Sequence, residues 1–174
     1  MTLIVRPATK ADVALLSRLG RETFEETFVE GFKLGYSASD LAEFIPRAYG
    51  ETAIAAYFDN PAYGHFVAEL DGEAVGYALV GPNGLEHEAA RAGDGELKRI
   101  YLLKKAQGTG GGRDLYEACM AFLLRDGPRP IWLGVWSGND KAQAFYAKRG
   151  FAKVGEYRFR VGETLDHEFI MRRP

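Results

Sequence analysis

Leu3, Ile4 and Val5 form a short apolar run closed by Arg6 and Pro7, so residues 3–6 are expected as a strand. Thr9 then offers an N-cap and Asp12 a first-turn acid. A helix is expected from there to about Phe28, with Arg18, Arg21, Glu22 and Glu25 on its exposed side. Residues 29–39 hold two glycines and Tyr36 and read as a loop. Ser39 can cap a second helix running to about Ile45, where Pro46 interrupts it, and residues 51–58 carry another helical piece. The pattern then turns to β. Residues 65–70 and 74–80 flank Asp71-Gly72, the pair expected in a type I′ hairpin. Residues 82–95 are polar and contain glycine, which predicts a mobile loop.

The second half alternates more regularly. A strand over 96–103, a glycine-rich turn, a helix over 113–124 and a strand over 130–136 make a parallel crossover. In that helix Leu115, Cys119 and Phe122 share a face, with Ala118 beside them. A helix over 139–149 stops at Gly150, and strands over 151–161 and 165–171 flank Gly162. Without repeats, low-complexity stretches or linkers, residues 1–174 are expected as one α+β (mixed αβα) domain, large enough for an ordinary core.

Composition narrows the function classes. A net charge of −2 argues against nucleic-acid binding, which draws on a basic face. The N-terminal apolar run is too short for a signal peptide or membrane span, so no membrane partner and a cytoplasmic location are expected. The single cysteine, Cys119, excludes an internal disulfide, fits a reducing compartment and reads as core rather than nucleophile. Glu86-His87-Glu88 and Asp166-His167-Glu168 place acids beside histidines. Neighbours on a strand point to opposite faces, so neither triplet chelates well and no metal is expected.

The densest chemistry lies in Gln107-Gly108-Thr109-Gly110-Gly111-Gly112-Arg113. Glycines opening a helix let N–H groups approach a phosphate at the positive end of the helix dipole. A P-loop fails here because no Lys-Ser or Lys-Thr follows. A dinucleotide fingerprint fails because Arg113 or Leu115 falls where its third glycine belongs. Q-x-x-G-x-G does fit, as Gln107, Gly110 and Gly112.

That spacing resembles the acyl-CoA pyrophosphate loop of the GNAT superfamily of N-acetyltransferases. Two further segments stand in register with it. One is Glu96-Leu97-Lys98-Arg99-Ile100-Tyr101-Leu102. The other is Trp132-Leu133-Gly134-Val135-Trp136, followed by Asn139 and by Ala144-Phe145-Tyr146-Ala147-Lys148-Arg149-Gly150-Phe151, similar to A-x-x-F-Y-x-x-x-G-F. Together they cover residues 66–154. Residues 21–28, 96–101 and 132–136 resemble the PaiA-like branch, which includes polyamine acetyltransferases. The loop departs from the family's usual pattern at Thr109 and Gly111, where a basic or bulky residue is common.

The resemblance implies a GNAT fold, with a mostly antiparallel twisted sheet splayed at the acyl-CoA site. It also implies acetyl-CoA as cosubstrate and a small-molecule amine as acceptor, with a homodimer left open. Ile100 and Leu102 on the splayed strand, residues Gln107, Gly108, Thr109, Gly110, Gly111, Gly112 and Arg113 of the loop, and Asn139 would hold the cofactor. Asn139 equally suits an N-cap. Tyr146 would donate a proton to the CoA sulfur, against an ordinary packing role. Glu96, eleven residues before Gln107, would be the base, or else a plain strand-end carboxylate. An alkylamine's pKa near 10.4 makes neutralisation at pH 7 cost about 4–5 kcal/mol, so a base has work to do. Alternation alone leaves open whether Arg99 and Tyr101 face acceptor or solvent. Glu25, Glu26, Glu96 and Asp166 would form an anionic acceptor side. Alternatives are a non-catalytic CoA-binding module, a nucleotide-binding protein, or acetylation of a protein N-terminus, amino acid or aminoglycoside.

Overall fold

The structure, a computed structural model, describes residues 1–174. Strand β1 (Leu3–Pro7) pairs antiparallel with β2 (Gly64–Leu70), and β2 with β3 (Glu73–Pro82). The β2–β3 turn has Asp71 at φ 50° and Gly72 at φ 84°, the two positive angles a type I′ turn requires. Next come β4 (Gly95–Leu102), antiparallel to β3, and β5 (Ile131–Trp136), parallel to β4. β7 (Thr164–Arg173) lies antiparallel to β5, and β6 (Ala152–Val161) closes the order β1-β2-β3-β4-β5-β7-β6. The sheet is therefore mixed, with a single parallel pair at its centre.

Helices cover both faces. On one face α4 (Gly111–Leu123) and α5 (Asp140–Ala147) pack over Ala78, Val80, Leu97, Leu133 and Val135. On the other, α1 (Val13–Phe24) and α3 (Glu51–Tyr57) bury Leu16, Leu19 and Ile54 against Val67 and Tyr77. A third cluster joins Phe24 of α1 to Phe44 and Tyr49 of α2 (Ala38–Tyr49) and to Val161 of β6. The α4 face is Leu115, Tyr116, Cys119, Met120 and Leu123, rotated from the expected one so that Phe122 lies at its edge against Phe66. Leu115 and Leu123 are fully buried, worth roughly 1.5–3 kcal/mol each. Cys119 is 0% exposed and its thiol is pushed up to about 12 by burial, so it is core.

Four expectations need correction. α2 starts after Ser37, not Ser39: Asp40 donates its N–H to Ser37 Oγ at 2.9 Å and accepts the Ser37 N–H at 3.1 Å, a complete capping box. Pro46 does not interrupt α2. It removes one helical hydrogen bond, but Phe44 and Tyr49 are buried on either side of it and tertiary packing carries the helix through. The first long helix loosens after Phe24 into a π-helical segment, Glu25–Gly31, which occupies part of the expected loop. The segment after β3 is held to the body: Gly84 N–H bonds Glu96 Oε2 at 2.8 Å, and the His87 ring lies 3.0 Å from the Val154 carbonyl.

Candidate active site

β4 and β5 pair only at Gly95–Ile131 and Glu96–Trp132 and then part. A bulge contributes, because Leu79 faces Arg99 while Val80 faces Leu97, which leaves Lys98 as an extra residue on β4. The gap is a cavity of about 640 Å³, within the range of ligand sites. Along it, every second residue of each strand turns its N–H and C=O toward open space instead of a neighbour. Ile100 and Leu102 line this cavity and pack toward the α4 side, whereas Tyr101 packs with the α1 cluster. That decides the alternation: Arg99 and Tyr101 also line a second, smaller chamber on the α1–α2 side.

The glycine loop meets the α4 end of the cleft. Gly108 (φ 82°) and Gly110 (φ 93°) adopt left-handed angles that side chains resist, and Gly110 is the N-cap of α4. Gln107 and Gly112 line the cavity; Gly108, Thr109, Gly110, Gly111 and Arg113 do not. Thr109 Oγ1 donates to the Ala106 carbonyl at 2.6 Å, and Arg113 turns to Asp114 at 2.8 Å. Gly111 is buried, where a Cβ would lie 3.2 Å from the Leu102 side chain. A Cβ on Gly112 would come no nearer than 3.8 Å to Leu102, so the helix start is open toward the cleft. The Gly111 N–H reaches Thr109 Oγ1 at 3.4 Å, while those of Gly112 and Arg113 have no intrahelical acceptor. A helix start with such N–H groups beside a long cleft fits a pyrophosphate followed by an extended arm.

Tyr146, on α5, lines the same cavity and is 7% exposed. Phe145 and Phe151 surround its ring at 5.4 and 5.8 Å. Burial, then the nearby Cys119 and Tyr116, raises its phenol well above the ordinary tyrosine value, so it carries its proton at neutral pH. Asn139 also lines the cavity, while its Oδ1 accepts the Ala142 N–H at 3.1 Å as the N-cap of α5. The N-cap is present, and a place on the cavity wall is compatible with contact to a cofactor arm.

A family model for acetyltransferases of the GNAT family matches residues 26–151, most of the chain. The chain belongs to the GNAT family. It is an acetyl-CoA-dependent N-acetyltransferase. An uncharacterised N-acetyltransferase of Lactobacillus delbrueckii subsp. lactis is 28% identical over 165 residues, covering 95% of this chain and 93% of that protein. An uncharacterised N-acetyltransferase of Mycobacterium bovis is 33% identical over 133 residues, 76% of this chain and 81% of its own. Among solved structures, the PaiA N-acetyltransferase of Thermoplasma acidophilum, in complex with coenzyme A, superimposes with a TM-score of 0.76. Its identity is 19%, and the alignment covers 99% of each chain. At that identity the likeness is one of fold.

Within this GNAT frame the acids fall unexpectedly. Glu96, 9% exposed, lines the smaller chamber but not the main cleft, and its Oε2 accepts from Gly84 N–H and Lys98 Nζ, each at 2.8 Å. Glu168 on β7 lines both spaces. It stands opposite Trp136 on β5 and Tyr157 on β6, and the Tyr157 hydroxyl donates to its Oε2 at 2.7 Å. Burial pushes its carboxyl up to about 7, against the lowering effect of that hydrogen bond. Such a group holds and releases a proton near neutrality. Asp166, two residues earlier, accepts from the Tyr36 hydroxyl, and burial raises its carboxyl as well.

In the sequence Glu168 was weighed only as a metal ligand beside His167 and not as a base. The signal was Asp166 and Glu168 at a spacing of two on a strand, two acids on one face in line with buried Ile170. The π-helical segment was not expected either; its Phe28 and the following Phe32 line the cleft, and Phe32 packs on Trp136 at 4.5 Å. No group of three or more His, Cys, Asp or Glu side chains is placed to hold a metal, and no helix is long and apolar enough to cross a membrane.

Proposed function

We propose that this enzyme acetylates a primary amine of a small molecule, which enters through the aromatic chamber and reacts where that chamber opens into the β4–β5 cleft. The observation that carries the reading is Glu168: it is the one carboxylate lining both spaces, and burial sets it near 7. Acetyl-CoA, when bound, supplies the acetyl group as a thioester whose C–S bond is exchanged for a C–N bond to the amine. Gln107, Gly112, the first turn of α4 and Asn139 hold its pyrophosphate and arm, with Ile100 and Leu102 beside the arm. Glu168 takes the ammonium proton, directly or through one water, and leaves the amine nucleophilic. The free edge of β4 near Ile100 offers an N–H to the carbonyl oxygen. Tyr146 gives its proton to the departing sulfur, and its buried phenol is suited to that because it is protonated beforehand. Glu96, committed to Lys98 and Gly84, serves as a positioning group for the loop after β3.

Polyamines are the acceptors that the PaiA-like resemblance brings in. The acids expected to draw them divide differently: Glu25 lines neither space, Glu26 accepts the Lys104 N–H at 2.7 Å, and Glu96 is paired with Lys98. Asp166 and Glu168 remain for a cation, which supports one ammonium at the base more than a chain of them. Thiol release over a panel of amines tests the whole reading. Glu168→Gln is expected to lower kcat/KM by about 10²–10⁴-fold and Glu96→Gln by much less. The opposite order would return the base to Glu96, and acetyl-CoA binding without turnover of any amine would favour a non-catalytic module.

A further inference from the structure

We propose that the acceptor carries a carboxylate as well as its amine, and that Arg99 on β4 receives it. The inference rests on the reading of the chamber as the acceptor site. Arg99 lines both the chamber and the cleft. Its guanidinium has five N–H donors, of which one bonds the Ala48 carbonyl at 3.1 Å, and its Cζ lies 4.8 Å from the Tyr49 ring centroid. None of the chamber's carboxylates forms an ion pair with Arg99: Glu96 pairs with Lys98, while Glu168 and Asp166 accept from the neutral hydroxyls of Tyr157 and Tyr36. Behind Arg99 there is no anion either. The groups that act on it are the tyrosines Tyr77, Tyr49, Tyr57 and Tyr101, and the buried Tyr77 hydroxyl and His65 Nε2 meet no acceptor of their own.

A part-buried cation without a counter-ion carries a desolvation cost, and a ligand that brings the missing anion recovers it. A guanidinium fork matches a carboxylate through two parallel hydrogen bonds, which a polyamine cannot offer; an ammonium there would meet like charge. The remaining walls, Phe24, Phe44, Tyr49 and Phe159, suit an apolar or aromatic skeleton. The chemistry points to an amino-acid-like zwitterion, with the amine at Glu168 and the carboxylate at Arg99. A free amino acid and the first residue of a peptide share that amine, but only the free amino acid adds its own α-carboxylate.

Matched pairs separate these cases: L-phenylalanine against phenethylamine and phenylalaninamide, and 4-aminobutyrate against butylamine, with spermidine as the polycation. Binding to the CoA-saturated protein is measured by calorimetry, and kcat/KM by thiol release. The carboxylated member of at least one pair is expected to bind at least tenfold tighter than its partner. Arg99→Gln, shown folded by its thermal melt, should bring that ratio close to one, and Arg99→Lys should reduce it severalfold. Should the Gln variant not fold, the Lys variant decides. Equal binding within both pairs, spermidine binding tighter than both carboxylated compounds, or an unchanged ratio in the folded variants overturns the assignment. Binding preference without turnover would instead overturn the catalytic reading and leave the Arg99 site standing. Turnover without preference would do the reverse.

Discussion

At the residue scale the proposed proton chemistry rests on Glu168, Tyr157 and Tyr146, and each makes a separable prediction. Burial raises Glu168 to about 7 and the Tyr157 hydroxyl opposes it, so kcat/KM is expected to climb with pH through an inflection near 7. Tyr157→Phe removes the opposing hydrogen bond; the inflection should move up by about one pH unit, read from a pH–rate profile. An unmoved inflection would mean that another group is the base. Tyr146→Phe keeps the ring and loses the proton, so kcat should fall while acetyl-CoA affinity measured by calorimetry stays within about twofold. A wild-type kcat would reject Tyr146 as the acid. The place of Tyr146 beside the cleft was legible because its motif fixes a position on a helix. Glu168 was not, because a strand acid declares itself only when the neighbouring strands cover it.

Among the elements, the glycine loop and the split strands carry the proposed cofactor site. Gly110 stands at φ 93° as the N-cap of α4. Gly110→Val forces a β-branched residue into that region and should weaken acetyl-CoA binding at least tenfold, with a smaller change in kcat. Calorimetry on a variant with an unaltered far-UV spectrum checks it. Gly134 on β5 tests the support of the proposed base: a Cβ there would collide with the Tyr157 hydroxyl that donates to Glu168. Gly134→Ala should therefore shift the pH–rate inflection upward, as Tyr157→Phe does. The crossover from β4 through α4 to β5 was visible in the sequence because strand, glycine turn and helix each have a local signature. The bulge at Lys98 and the π-helical turn at Glu25–Gly31 were not, since both answer to packing across the sheet and not to local propensity.

For the whole molecule, ligand and proton binding become stability terms. Saturation with acetyl-CoA at about 100 times its Kd should add about 2.7 kcal/mol and raise Tm by roughly 5–10 °C. Glu168 acts in the other direction with pH. A folded-state value above the unfolded one stabilises below the unfolded value, and that contribution is lost as pH rises through the folded one. The rise from 4.5 to about 7 corresponds to roughly 3 kcal/mol lost across that window. Glu168→Gln should flatten it, so that denaturant titrations at pH 5 and pH 8 differ less in the variant than in the wild type. What the sequence determined by itself is the alternation of elements, the hairpin at Asp71-Gly72, the glycine loop and the register of Tyr146 behind it, because each depends on backbone angles or periodicities a few residues long. Only the tertiary structure decided which acid lines both the cleft and the chamber, that Arg99 faces the smaller chamber without an ion-pair partner, and that Pro46 is tolerated inside α2. Desolvation, pairing and helix continuity belong to neighbours brought from distant parts of the chain, and no local pattern encodes them.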